Sequence, residues 1–169
     1  LAVKDAYRLA PDADVLYSGE IRWWRYWAQH DPDGLAAIPL RYSVDGQAHP
    51  WATILQNSGI DGLETDPSGL RTGENSGYQA VGLAVHLGAS KIVLLGYDFM
   101  ANNGKLHFFG NHPYQTVPTG QLAHAFHRFM AHFATLVEPL KRMNIAIVNA
   151  TRETALTCFP QMSLAEALA

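Results

Sequence analysis

The stretch TGENSGYQAVGLAVHLGASKIVLLGYDFM (residues 72–100) decides the fold. It holds a polar glycine-rich turn, a helix, a glycine stop, a short apolar strand and an acidic residue where that strand ends. Asn75 and Ser76 are residue types that cap helices by accepting hydrogen bonds from first-turn amides. Gly77 lets the backbone come close to whatever that turn faces. From Tyr78 onward the chain is apolar nearly all round (Ala80, Val81, Leu83, Ala84, Val85, Leu87), as in a helix packed against a sheet on one side and other elements on the other. Gly88 stands where a left-handed residue would end it. The run Ile92, Val93, Leu94, Leu95 predicts a strand covered on both faces, and Gly96, Tyr97 and Asp98 close the unit. In parallel sheets ligands bind beyond the carboxyl ends of strands and at helix N-termini. Asp98 and the amides of Asn75, Ser76 and Gly77 are therefore expected at the rim of one pocket.

The 169 residues are 48% hydrophobic, enough for one domain (1–169) with a sizeable core. A net charge of -3 gives no electrostatic footprint for non-specific nucleic-acid binding. The single cysteine, Cys158, excludes an intramolecular disulfide and a multi-cysteine zinc site, which fits a reducing compartment. No apolar run approaches the roughly 18–20 residues that span a bilayer, so a cytoplasmic protein with no membrane partner is expected. The chain opens at Leu1, without an initiator methionine, and runs directly into apolar residues.

Outward from the central stretch, residues 1–3 and 14–19 read as strands, with Lys4-Asp5 and Gly19-Glu20 as polar exits of the kind that face ligands. IRWWRYWAQH (residues 21–30) predicts a helix with Trp23 and Trp27 on one face and Arg22 and Arg25 flanking it. Such a face is either a stacking platform for a base or sugar or, the plainer reading, an aromatic stripe packed on the sheet. Asp31-Pro32-Asp33-Gly34 reads as a turn. Strand-like pieces at 38–44 and 51–56 are separated by Asp45-Gly46, a hairpin signal, and 57–73 reads as loop.

Residues 101–119 read as a long irregular segment, a length that in compact domains is often functional. It holds His107 and His112, the candidate catalytic residues. Residues 119–144 predict a long helix with Leu122, Phe126, Phe129, Met130, Phe133, Leu136, Val137 and Leu140 on one stripe, bent or ended by Pro139. His124, His127 and His132 fall off the stripe. No carboxylate is placed to complete a metal site with them, so no metal ligands are assigned. Residues 145–148 read as a buried strand ending in Asn149, 153–156 as one helical turn, and 163–168 as a helix capped by Ser163. Cys158 reads as an inert packed thiol.

NSGYQAVGLAVHLGASKIVLLGYDFM (75–100), KLHFFGNHP (105–113) and IAIVNATRETALTCFP (145–160) together resemble a Rossmann-like group. It includes the CMP-sialic-acid-dependent bacterial sialyltransferases and the hydroxymethylpterin pyrophosphokinase-like (MptE-like) proteins. With DAYRLAPDADVLYSGEIRWW (5–24) added, the wording is similar to proteins of unassigned activity encoded by tailed phages and prophages. The resemblance implies an α/β fold: a Rossmann-like three-layer domain with a mostly parallel central sheet, here without a counterpart of the group's first strand and its Gly-Pro-Ser phosphate loop. It implies a nucleotide, CMP-type, as ligand.

By the same resemblance, Asn75-Ser76-Gly77 match the turn that touches the nucleotide, and Gly96-Tyr97-Asp98-Phe99 match a Gly-x-Asp strand end. His107 would hold or protonate a leaving phosphate, and His112 would act as a base. Lys4 stands where the group has asparagine, and Gly19-Glu20 where it has its polar pair. Three functions stay open at this point. One is a glycosyltransferase-like protein binding a nucleotide or nucleotide-sugar. The second is a magnesium-dependent pyrophosphoryl or phosphoryl transferase using Asp98 with Glu74 or Glu20. The third is a non-catalytic phage accessory protein. A homo-oligomer is compatible with each.

Overall fold

The computed structural model describes residues 1–101, 105, 110, 112–114 and 119–169, and for 119–123 the backbone alone. The chain is an α/β protein in which every strand pairing among the described residues is parallel. It divides into two compact units, Leu1–Ile60 with Glu64–His86, and Asp61–Leu63 with Leu87–Ala169.

The first unit carries β1 (Ala2–Val3), a 3-10 turn (Lys4–Arg8), β2 (Val15–Tyr17), α1 (Ile21–His30), α2 (Pro32–Ala37) and β3 (Leu40–Ser43). A second 3-10 turn (Gly46–Ala48), β4 (Thr53–Ile54), β5 (Gln56–Asn57), β6 (Gly69–Leu70) and α3 (Ser76–His86) complete it. The sheet runs in the order β1-β2-β3-β4, and β5 pairs with β6. Val15, Tyr17, Leu55, Leu70, Ala80 and Leu83 form one buried cluster, joining β2 to the underside of α3. Trp23 and Trp24 are fully excluded from solvent and Trp27 nearly so. Burying a tryptophan removes about 150–250 Å² from water, worth on the order of 4–6 kcal/mol as an upper bound. The aromatic face of α1 is therefore core, and the stacking-platform reading is set aside.

Three features of this unit depart from the sequence reading. Asp31-Pro32-Asp33-Gly34 opens α2 instead of making a simple turn: Asp31 Oδ1 accepts from Gly34 N at 3.1 Å and Pro32 takes the first helical position, where its missing N–H costs nothing. Asp45-Gly46 is not a hairpin. Asp45 Oδ1 accepts from Gln47 N at 3.0 Å and starts the second 3-10 turn, whose Ala48 is buried, so the chain crosses over and β4 joins β3 in parallel. The presumed loop 57–73 also contributes paired backbone, with Gln56 opposite Gly69 and Asn57 opposite Leu70.

The second unit carries β7 (Lys91–Leu94), α4 (Thr119–Ala134), α5 (Val137–Arg142), β8 (Ala146–Asn149) and α6 (Leu164–Leu168). β7 and β8 pair from Lys91 opposite Ala146 to Leu94 opposite Asn149. The two-faced cover expected for the β7 run stops short: Leu95 is 55% exposed. The expected long helix is two. Thr135 Oγ1 donates to the His132 carbonyl at 2.6 Å, and the amides of Thr135 and Leu136 tighten to i→i−3 bonds, which ends α4. Pro139 then falls in the first turn of α5, where a proline is tolerated. Residues 153–156 form no helix, because Thr154 spends its hydroxyl on other backbone groups. α6 has the expected cap, a full capping box between Ser163 and Glu166.

Candidate functional site

In the first unit the exits of β1, β2 and β3 lie at one end of a parallel sheet and are polar. Ser18 and Ser43 are fully buried there. Each turns the chain by accepting an amide two residues on, Glu20 N to Ser18 Oγ at 3.3 Å and Asp45 N to Ser43 Oγ at 3.1 Å. Lys4 follows β1 with φ +49°, in the left-handed region that non-glycine residues enter at a cost of order 1–2 kcal/mol. Its Nζ lies 2.8 Å from Glu20 Oε2, and Arg22 reaches the other oxygen of the same carboxylate at 2.9 Å. Asp5, one residue on, turns inward: it is buried and accepts from Trp23 Nε1 at 3.1 Å.

The N-terminus of α3 meets these exits directly. Gly19 N donates to Ser76 Oγ at 3.2 Å. Tyr17 Oη donates to Gln79 Oε1 at 2.8 Å, and Gln79 Nε2 donates to the Thr72 carbonyl at 3.0 Å. A Cβ at Gly19 would overlap Gln79 Oε1, so only glycine lets the β2 exit come this close. Asn75 is the cap: its Oδ1 accepts from Gly77 N at 2.8 Å and Tyr78 N at 3.2 Å. The first-turn amides expected to face a ligand are thus partly held by the protein's own side chain. Of the predicted residues, the structure brings together Lys4 with Glu20, Gly19 with Ser76, and Asn75 with Gly77. Glu74 is exposed, with φ +53°.

In the second unit Asp98 follows β7, and the backbone before it is held by the exit of β8. Tyr97 N donates to Thr151 Oγ1 at 3.0 Å, Thr154 Oγ1 donates to the Tyr97 carbonyl at 2.6 Å, and Ala155 N donates to the Asp98 carbonyl at 2.8 Å. The fully buried Asn149 anchors this loop through Thr154 Oγ1, the Leu156 carbonyl and Thr151 N. Burial, and then the negative charge of Glu153, raise the Asp98 carboxyl above its ordinary pKa. Phe99 follows with φ +49° and packs edge-on against Phe126 and Phe133.

His112 is buried, and its Nδ1 shares a 2.9 Å hydrogen bond with the Tyr114 hydroxyl. His107 lies outside the described residues. His124 and His127 are exposed on α4, while His132 pairs with Asp61 at 2.6 Å. Burial pushes the Cys158 thiol up to about 11, so it stays protonated and unreactive at neutral pH. Among the described residues no three His, Cys, Asp or Glu side chains gather as a metal site, and no helix is long and apolar enough to cross a membrane.

Sequence reasoning missed Ser18, Ser43 and Gln79, and it placed Arg22 beside the aromatic face of α1 without its pairing to Glu20. Gln79 carried a signal: one amide side chain in an otherwise apolar helix face needs a buried partner. No family model matches the chain, and neither a curated protein nor a solved structure matches it.

Proposed function

We propose that the chain is a nucleotide- or nucleotide-sugar-binding protein of glycosyltransferase-like type, built as a Rossmann-like three-layer domain, with its ligand at the carboxyl ends of the first unit's strands. The observation that carries this reading is the meeting of Lys4, Gly19-Glu20 and Ser76 at one end of a parallel sheet, beside the N-terminus of α3. That is where open α/β sheets take ligands. Lys4 supplies the positive charge for a phosphate, and the Ser76 hydroxyl, which accepts from Gly19 N, keeps its proton to donate. For the second unit we propose that His112 is a general base, its ring oriented by Tyr114. A cytoplasmic setting and a phage or prophage origin belong to the same proposal.

Calorimetric titration with CMP, UMP and GMP tests it. Binding of at least one with a micromolar to low-millimolar Kd is expected, and no heat from any of the three at several millimolar overturns it. One observation favours a second reading, a binding protein without catalysis: Asn75 and Glu20 already occupy groups that an enzyme would aim at its substrate. Under it, His112→Ala binds the nucleotide as wild type does, and no transfer of sugar or phosphate is found in either protein.

A further inference from the structure

Glu20 occupies the N-cap position of α1 and does not cap it. Glutamate is a poor cap compared with Ser, Thr, Asp or Asn, and here its carboxylate makes no cap hydrogen bond and lies between two cations. Lys4 Nζ is 2.8 Å from one oxygen and Arg22 is 2.9 Å from the other. The Lys4 and Glu20 side chains keep about a fifth of their surface exposed and Arg22 keeps more than half, so the cluster is open to solvent on one side. Lys4 also holds a left-handed backbone conformation where it meets Glu20. Strain of this kind persists only where the surrounding structure fixes it. A carboxylate hydrogen-bonded by a lysine and ion-paired with an arginine, at the exits of parallel strands, stands in a charge environment that suits a bound phosphate.

We propose that Glu20 is a built-in competitor for an anionic ligand: its carboxylate holds the place between Lys4 and Arg22 that a phosphate or diphosphate group takes, and binding opens both ion pairs. The inference deepens the nucleotide reading, on which it rests for the identity of the natural ligand. The geometry of the clamp does not depend on it. Two cations face one carboxylate, so an incoming anion meets net positive charge once Glu20 swings out. The nearby Asp5 carboxylate is buried against Trp23 and stays in place. The device makes the site selective, because a group must bring more negative charge or more acceptor oxygens than a carboxylate to displace Glu20.

The test uses the full chain and inorganic pyrophosphate, titrated by calorimetry at low ionic strength, with CMP as a second ligand. Glu20→Gln should bind pyrophosphate about tenfold tighter than wild type, the size expected from removing one partly exposed like charge at contact distance. Glu20→Ser, which puts a favoured cap at the same position, should show the same gain with equal or higher thermal stability, and it covers the case in which Glu20→Gln folds poorly. Adding Lys4→Met to either variant should abolish the gain. Equal or weaker pyrophosphate binding in folded Glu20→Ser overturns the proposal, as does a gain that survives Lys4→Met. The two readings fail separately. Tight pyrophosphate binding by the variants with no binding of any nucleotide keeps the clamp and removes the nucleotide, whereas CMP binding to wild type without a pyrophosphate gain in the variants does the reverse.

Discussion

Replacing Asn149 by leucine, a change of shape small enough to fit the same site, tests whether the exit of β8 holds the backbone that carries Asp98. The Asn149 side chain is fully buried and makes three hydrogen bonds, to Thr154 Oγ1 at 3.2 Å, the Leu156 carbonyl at 3.3 Å and Thr151 N at 3.1 Å. Each is worth roughly 1 kcal/mol net, and leaving a buried carbonyl or amide unpaired costs about 1–3 kcal/mol. The leucine gains some apolar transfer energy in return, so a net loss of about 3 kcal/mol is expected. In a chain of this size that lowers Tm by about 6–12 °C. Urea denaturation gives the energy, and hydrogen exchange gives the location. Tyr97 is tied to Thr151 and Thr154, the residues Asn149 anchors, so its amide should lose protection by more than the global change. A variant within about 0.5 kcal/mol of wild type, or one destabilised with no selective loss at Tyr97, would show that Asn149 does not hold the Asp98 backbone.

Two glycines with different surroundings should respond in opposite ways to alanine. Gly73 has φ +46° and a Cβ there would overlap the Tyr78 ring, so Gly73→Ala should cost at least about 1–2 kcal/mol. Gly46 has no atom within 4 Å of its Cβ position, so Gly46→Ala should be neutral or gain up to about 1 kcal/mol. Equal urea midpoints for the two would contradict both. Asp98 supplies a pH test. Its carboxyl pKa is raised in the folded chain by burial and by Glu153, so its favourable contribution is complete below the unfolded value of about 3.9 and is lost as pH rises through the folded value. Asp98→Asn should therefore raise the urea midpoint at pH 7 and match wild type at pH 3. No gain at pH 7, or one of the same size at pH 3, would count against the assignment.

The features legible in the sequence were those whose causes are local. α1 runs from Ile21 to His30 as the tryptophan spacing predicts, α6 begins at the Ser163 capping box, and Asn75 caps α3. The turn chemistry of Asp45-Gly46 was ambiguous by itself, because aspartate begins a hairpin and a 3-10 turn with the same side-chain bond, and only the parallel register of Tyr42 with Thr53 decides between them. The break at Thr135 depended on a hydroxyl rotating onto a carbonyl within the helix, which leaves no trace in hydrophobic periodicity. The strand exits are visibly polar in the sequence, and Lys4 and Glu20 stand at two of them. Their pairing is set by the β1–β2 register, Ala2 opposite Leu16 and Val3 opposite Tyr17, which carries Lys4 alongside the start of the Ser18-Gly19-Glu20 turn. Neither residue's own neighbours in the chain reveal that contact.

Where an anionic ligand binds is read out by amide chemical-shift mapping. CMP is titrated into the isotopically labelled chain, with Lys4→Met as the control. Saturable shifts concentrated at Lys4, Gly19, Glu20, Arg22 and Ser76 are expected in wild type, lost or strongly weakened in the variant. Shifts confined to other residues, or an unchanged spectrum at several millimolar CMP, would contradict it.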